Sequence, residues 1–373
     1  MTTWLTAPLG DVIELAYGKS LPKGVRAVEG NIPVYGSNGI TGWHDQALVN
    51  ESTIIVGRKG SAGAIQLVQE PCYPIDTTYF VRVRQSFDAD TKFLFYLLSR
   101  LDLSRLKTAT GVPGLNREDA YRELISLPPL PEQRRIVDLL SRAEGIVRLR
   151  REAEKKAAEL IPALFLDMFG DPATNPKGWP VRKIADFVKR FEGGKNIQAG
   201  SENGSAYRIL KVSAVTSGVY RESERKPSPD GYIPPASHIV RPGDMLFSRA
   251  NTEELVGATA VVEKTDGATL LPDKLWRFVW NEPVESAYMH ALFQSGHTRQ
   301  ALGKLSSGTS ASMRNISQAK LFALTMPIAP YSAQKEFAER SAMMRSIQSQ
   351  QLTATAKAQA TFDALLADAF KVA

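Results

Sequence analysis

Apolar residues recur every three to four positions over two long stretches of this chain, and strand-like clusters occupy the ground between them. From Pro131 to Phe169 the sequence is rich in Ala, Leu, Glu, Arg and Lys. Alternating steps of four and three residues pick out Leu139, Ala143, Ile146, Arg150, Ala153, Ala157, Leu160 and Leu164, a heptad stripe with one polar member. Near the C-terminus Met344, Ile347, Ala354, Ala358, Thr361 and Leu365 follow the same rule. Such stripes predict helices that pack along a partner helix, with small mid-stripe residues allowing close approach and Arg150 and Gln351 fixing register. A helix of about 38 residues is roughly 57 Å long at ~1.5 Å per residue. Pro162 predicts a kink or a loosened turn.

Between the helices the pattern changes period. STIIVGRKG (52–60) and TTYFVRV (77–83) are rich in β-branched and aromatic residues and bounded by Gly, Pro and Asp, as strands are. DMLFSRAN (244–251) and LWRFVW (275–280) hold the corresponding places further on, and a helical stretch follows each set, TKFLFYLLSRL (91–101) and SAYMHALFQS (286–295). The chain is therefore written twice. ALFLDMF (163–169) returns as ALLADAF (364–370) at an offset of 201. LPPLPEQRRI (127–136) answers MPIAPYSAQKEF (326–337), with Pro128 and Pro131 set against Pro327 and Pro330 at an offset of 199. On that alignment the second copy's Pro-x-x-Glu-Gln entry is stretched by two residues. GVPGLN (111–116) faces GTSASMRN (308–315), and Trp4 with LGDVIEL (9–15) faces Trp179 with IADFVKR (184–190).

A repeat of this kind dictates architecture. The predicted fold class is α+β: two mixed α/β domains separated by an antiparallel pair of long helices, with an internal pseudo-twofold repeat. The expected divisions are a first domain over 1–127, a helix over 128–170, a second domain over 171–325 and a C-terminal helix over 326–373. At 373 residues each domain is large enough to bury its own core.

Composition narrows the setting. No apolar run approaches the roughly 20 residues that span a bilayer. The opening MTTWLTAPLGDV lacks a basic region followed by an apolar stretch, so no secretory signal is expected. A single cysteine, Cys72, excludes an intramolecular disulfide and a multi-cysteine zinc site. These features favour the cytoplasm. The net charge of +7 is uneven: the four segments carry 0, +1, +5 and +1 in chain order, so a basic coat is absent while nucleic-acid binding is permitted.

The loops between strands carry side chains suited to DNA. Tyr35 and Asn38 lie in IPVYGSNGITGW (32–43), and Arg58 and Lys59 in the Gly-rich VGRKGSAG (56–63). Lys19, in a Gly-Lys-Ser turn, and Lys195, in FEGGKN, extend the set. The second half adds Lys211, Ser213, Arg249, Asn251 and Lys274. Arg and Lys donate to guanine O6 and N7 and Asn pairs with adenine, so such sets can read base edges. Taken singly, each is also an ordinary solvated side chain; recurrence in both halves carries the argument.

Catalytic motifs are missing. LPPL (127–130) and IPPA (233–236) lack the polar first residue of an Asp/Asn-Pro-Pro-aromatic methyltransferase loop, and Gly18-Lys19-Ser20 has Ile13 where a P-loop needs Gly. Glu154 and Lys156 sit in a helix without an upstream Pro-Asp, against a nuclease site. His44, His238, His290 and His297 show no metal-ligand spacing, and no nucleophile elbow appears. No catalytic residue, metal ligand or cofactor site is assigned, and the chain reads as a binder.

With LPPLPEQRRIVDLL (127–140), ALFLDMFGDP (163–172), VGRKGSAG and DKLWRF (273–278), the chain resembles over its whole length the specificity subunit of type I restriction–modification systems. The resemblance implies two target-recognition domains, each reading one half of a bipartite, asymmetric double-stranded DNA sequence, with the helices as a ruler. It implies two methyltransferase subunits as partners, bringing S-adenosylmethionine chemistry to adenine, and restriction subunits with translocase activity as further partners. A coiled-coil scaffold with two protein-binding domains also accounts for the helices, but gives no reason for the paired Arg, Lys and Asn loops.

Overall fold

The computed structural model describes residues 4–26, 30–108, 113–201, 205–310 and 313–371. It divides into two compact units, one of Met1–Glu152 with Thr353–Ala373 and the other of Ala153–Leu352.

In the first unit an antiparallel sheet runs in the order Ile13–Tyr17, Thr78–Val83, Thr53–Gly57, Ile65–Val68. Thr53–Gly57 is buried at all five positions, which explains its unbroken apolar run. Alternation then sorts the side chains. Leu15, Ile54, Val56, Tyr79 and Val81 face one core, shared with Phe93, Leu94, Leu97 and Leu98 of the helix Thr91–Leu101. Ala16, Ile55 and Phe80 face the other, with Val49, Val68 and Cys72. The helix starts where Asp90 accepts from the amides of Lys92 and Phe93, satisfying two otherwise orphan donors. Leu5–Pro8 pairs with Leu124–Leu127, bringing the start of the domain beside its end.

The second unit repeats this plan. Its antiparallel sheet runs Val188–Gly193, Leu275–Trp280, Met245–Ser248, Thr259–Val261, with Ser286–Gln294 as the following helix. Phe191, Phe247, Trp276, Phe278 and Phe293 make an aromatic core against it. Val181–Lys183 pairs with Thr325–Pro327 as Leu5–Pro8 does with Leu124–Leu127.

The long helices span Leu130–Phe169 and Tyr331–Ala369, the first assigned without a break through Pro162, where a kink or loosened turn was expected. In the first unit Arg151 donates to Gln359 at 2.8 Å, and Phe362, Leu365, Leu366 and Ala369 pack on the core containing Ile136 and Leu140. In the second, Gln348 donates to the Ala157 carbonyl at 2.7 Å, and Phe165 meets Phe337 edge-on. Within each unit the two helices run antiparallel.

The heptad stripe needs correction in one of its two series. Ala143, Ala157 and Leu164, with Met344, Ala358 and Leu365, lie on covered faces of their helices, buried or half-buried. Leu139, Ile146, Leu160, Ile347 and Thr361 are exposed, while Ala153 and Ala354 are half-covered. The packed series lies one residue later, through Gln133, Leu140, Val147 and Ile161, and through Gln334, Ser341, Gln348 and Phe362. Both series are apolar enough to compete in sequence, and buried glutamines set the rotation. Gln133 donates to the carbonyls of Asp88 and Pro128 and accepts from the Asp90 amide. Gln334 donates to the Ala329 carbonyl and accepts from the Glu285 amide.

The same glutamines correct the proline alignment. The amides of Glu132 and Gln133 reach the Pro129 carbonyl, as those of Ala333 and Gln334 reach Pro330. The helix entries therefore match at an offset of 201, Pro129 to Pro330 and Gln133 to Gln334, and no stretch of two residues exists. Asn116 and Ser317 likewise cap corresponding helices, so the GVPGLN and GTSASMRN segments also shift by two; residues 111, 112, 311 and 312 lie outside the described set.

Candidate nucleic-acid interface

Each unit presents one arginine at the end of a central strand, and corresponding backbone partners hold the two. The Arg58 amide bonds the Thr77 carbonyl at 2.9 Å, and its carbonyl accepts from Leu115 at 2.9 Å. The Arg249 amide bonds the Lys274 carbonyl at 3.1 Å, and its carbonyl accepts from Ile316 at 2.9 Å. The side chains follow suit. Arg58 Nη1 donates to the Asp76 carbonyl at 2.9 Å, with the guanidinium 6.0 Å from the Tyr79 ring and 4.9 Å from Tyr17. Arg249 Nε donates to the Asp273 carbonyl at 2.7 Å, with its guanidinium 5.7 Å from Trp276. Asp76 and Tyr79 correspond to Asp273 and Trp276 at one offset, 197. An aromatic face under a guanidinium holds the cation without neutralising it.

A second matched pair lies one strand away. Gly18-Lys19 and Gly194-Lys195 end the strands Ile13–Tyr17 and Val188–Gly193. A side chain at Gly18 would strike the Ile75 carbonyl, and one at Gly194 the Leu271 carbonyl, so close backbone approach requires glycine at both. Lys19 and Lys195 are exposed beyond them. Burial first, and then the positive charges of Lys195 and Arg277, hold His238 below its ordinary value.

The other candidates divide. Lys59 is exposed, and its backbone pairs with Gly114. Asn38, also exposed, reaches the Ser61 hydroxyl of the Arg58 loop at 3.5 Å. Lys274 is half-buried beside Arg249, to which its carbonyl is bonded. Asn251 spends its amide on its own turn, donating to Ser248 at 3.4 Å and accepting from Thr252 at 2.8 Å. Ser213 donates to the Glu224 carboxylate at 2.7 Å, and the amide of exposed Lys211 bonds the Glu224 carbonyl, tying both to a different loop. Tyr35 is half-buried, with its ring packed on the Ala16, Ile55 and Phe80 core and burial raising its hydroxyl.

Sequence reading missed Tyr17, Tyr79, Trp276 and Arg117, whose guanidinium lies 5.1 Å from Tyr17. The signal was present as constant offsets around Gly-Lys and Asp-x-x-aromatic. Pairing on prolines alone did not use it.

Comparison with known proteins gives a consistent result. Residues 1–159 match the family model for the type I restriction modification DNA specificity domain. Over 202 residues the chain is 30% identical to the Escherichia coli type I restriction enzyme EcoEI specificity subunit, covering 53% of this chain and 34% of that one. Over 368 residues it is 25% identical to the Methanocaldococcus jannaschii MjaVIII specificity subunit, covering 90% of this chain and 85% of the other. The chain thus spans about a third of the first relative's length and most of the second's. The crystal structure of a type I restriction–modification S subunit from M. genitalium superimposes with a TM-score of 0.62 at 12% identity, covering 100% of this chain and 97% of that one. A structure of type I restriction–modification complex assembly and conformational transition superimposes with 0.61 at 18%, covering 100% and 98%. At these identities the two structures speak for the fold.

Proposed function

We propose that the chain is a specificity subunit of a type I restriction–modification system, and that it directs partner methyltransferase subunits to a bipartite, asymmetric DNA sequence. Each unit reads one half-site, and the long helices set the spacing between them. The observation that carries this reading is the recurrence of one arginine–aromatic and glycine–lysine arrangement in two domains whose remaining surfaces differ. Lysine and arginine contacts to phosphate position each domain, and neighbouring side chains discriminate bases at about 1–3 kcal/mol per good bidentate contact.

In this reading the chain performs no chemistry itself. S-adenosylmethionine binds to the methyltransferase partners, and restriction subunits with translocase activity join the same assembly. The absence of a methyltransferase loop, P-loop or nucleophile elbow from the sequence supports a targeting role. Among the described residues no helix is long and apolar enough to cross a membrane.

Single-molecule mapping of adenine methylation, in the host with the gene intact and deleted, tests the proposal. One bipartite motif is expected to lose methylation on deletion. An unchanged methylome in cells that express the methyltransferase would overturn it.

A further inference from the structure

We propose that Arg58 and Arg249 are equivalent phosphate anchors, and that base discrimination falls to the unlike side chains around them. The inference rests on the reading of this chain as a DNA-recognition subunit. Two half-sites of different sequence share one thing at every position, the sugar-phosphate backbone. An arginine at the same place in the frame of both domains, beside a corresponding aromatic ring, suits that shared feature.

Geometry separates charge from edge. Arg58 spends Nη1 on the Asp76 carbonyl, whereas Arg249 spends Nε on Asp273 and turns Nη2 towards that residue's carboxylate at 3.8 Å. The edges left for a ligand therefore differ, although each cation stands beside the corresponding aromatic residue. A bidentate contact to guanine needs a fixed edge, while a phosphate needs a positive charge in the right place. Both guanidiniums lie against aromatic faces, and among the described residues no carboxylate pairs with Arg58. The neighbours diverge: Tyr17, 4.9 Å from the Arg58 guanidinium, is replaced by Gly193, and Lys59 by Ala250. These positions, beside a constant anchor, are where one domain's sequence preference is set.

The test uses the full-length chain co-expressed with its methyltransferase subunits, a mixed-sequence DNA duplex and a salt titration. Arg58→Gln and Arg249→Gln keep stem length and remove the charge. Each is expected to flatten the log-affinity versus log-salt slope by about 0.9, and the double variant by about twice that. Arg58→Lys and Arg249→Lys keep most of the slope, and motif mapping in cells shows lowered methylation with every position of the motif intact. Thermal melting of each variant checks that folding is retained. An unchanged slope in well-folded Gln variants would overturn the anchor assignment, as would loss of one defined base from the motif. If the wild-type assembly shows no salt-dependent DNA binding, the recognition reading itself fails, and the anchors fall with it.

Discussion

At one point in the central sheet the two units hold opposite chemistry in the same frame. In the first, Phe80 lies across from Ala16 and Ile55 in an apolar core. In the second, the corresponding positions are Arg277, Glu192 and Leu246, with Asp244 where the first has Thr53. Arg277 is 7% exposed and donates to Glu192 at 2.5 Å, to Asp244 at 2.9 Å, and to the carbonyls of Ile239 and Ser237. Strand register is the same around a phenylalanine and around a buried ion network. The sheet is therefore specified by alternation and pairing, leaving interior side chains free to diverge. Burial raises Asp244 above the usual carboxylate range. At Glu192 burial acts the same way, but hydrogen bonds from Arg277 and Arg190 outweigh it and the carboxyl titrates low. Desolvation opposes pairing at both carboxylates, prevailing at Asp244 and not at Glu192.

The largest effect comes from breaking that network on one side only. Arg277→Met leaves half-buried Asp244 without its cation and Glu192 with Arg190 alone, and is expected to cost about 3–5 kcal/mol. Importing the first unit's residues together, as E192A/R277F/D244T, should recover most of the loss. Urea unfolding followed by tryptophan fluorescence measures both, since Trp179, Trp276 and Trp280 belong to the second unit. A triple variant no more stable than Arg277→Met would show that the ion network, and not only its integrity, specifies this sheet.

A smaller contrast is visible in pH. His290, on the helix Ser286–Gln294, is held at about 4 by burial and then by nearby Arg345, with its Nδ1 2.9 Å from the Thr259 hydroxyl. It is neutral when folded, whereas the unfolded chain takes up a proton below the ordinary value of 6.5. Its contribution is therefore present above that value and lost as pH falls towards 4, by on the order of 3 kcal/mol. The first unit has one histidine, His44, so the loss belongs to the second. Hydrogen exchange at pH 7 and pH 5 should show protection falling in Ser286–Gln294 more than in Thr91–Leu101. Equal falls would place the proton uptake elsewhere.

Much of this architecture was legible because repetition multiplies weak signals. Strands such as TTYFVRV and the helix TKFLFYLLSRL lie where period and composition put them. Arg58 and Arg249 were found as members of loops, but their equivalence depends on backbone partners 19 and 25 residues away, Thr77 and Lys274, which no local pattern reports. The heptad error is more instructive. Leu139, Ile146 and Leu160 form a better apolar series by composition than one interrupted by Gln133 and Glu154. Rotation of a helix is decided by its best-anchored residue, and here that residue is polar.

That anchor gives the finest test of the repeat. Gln133 makes three buried or half-buried hydrogen bonds, at 2.8, 3.0 and 2.8 Å. Gln334 makes two, at 3.2 and 2.8 Å. Truncating either to Ala strands the buried carbonyl of Pro128 or Ala329 and an amide at the start of the preceding helix, about 1–3 kcal/mol in each case. Gln133→Ala should cost more than Gln334→Ala by roughly the net worth of one hydrogen bond, about 0.5–1.5 kcal/mol. Urea midpoints for the two variants measure the difference. Equal losses would mean that the Asp88 carbonyl finds another donor, and that the two helix entries are energetically as well as geometrically the same.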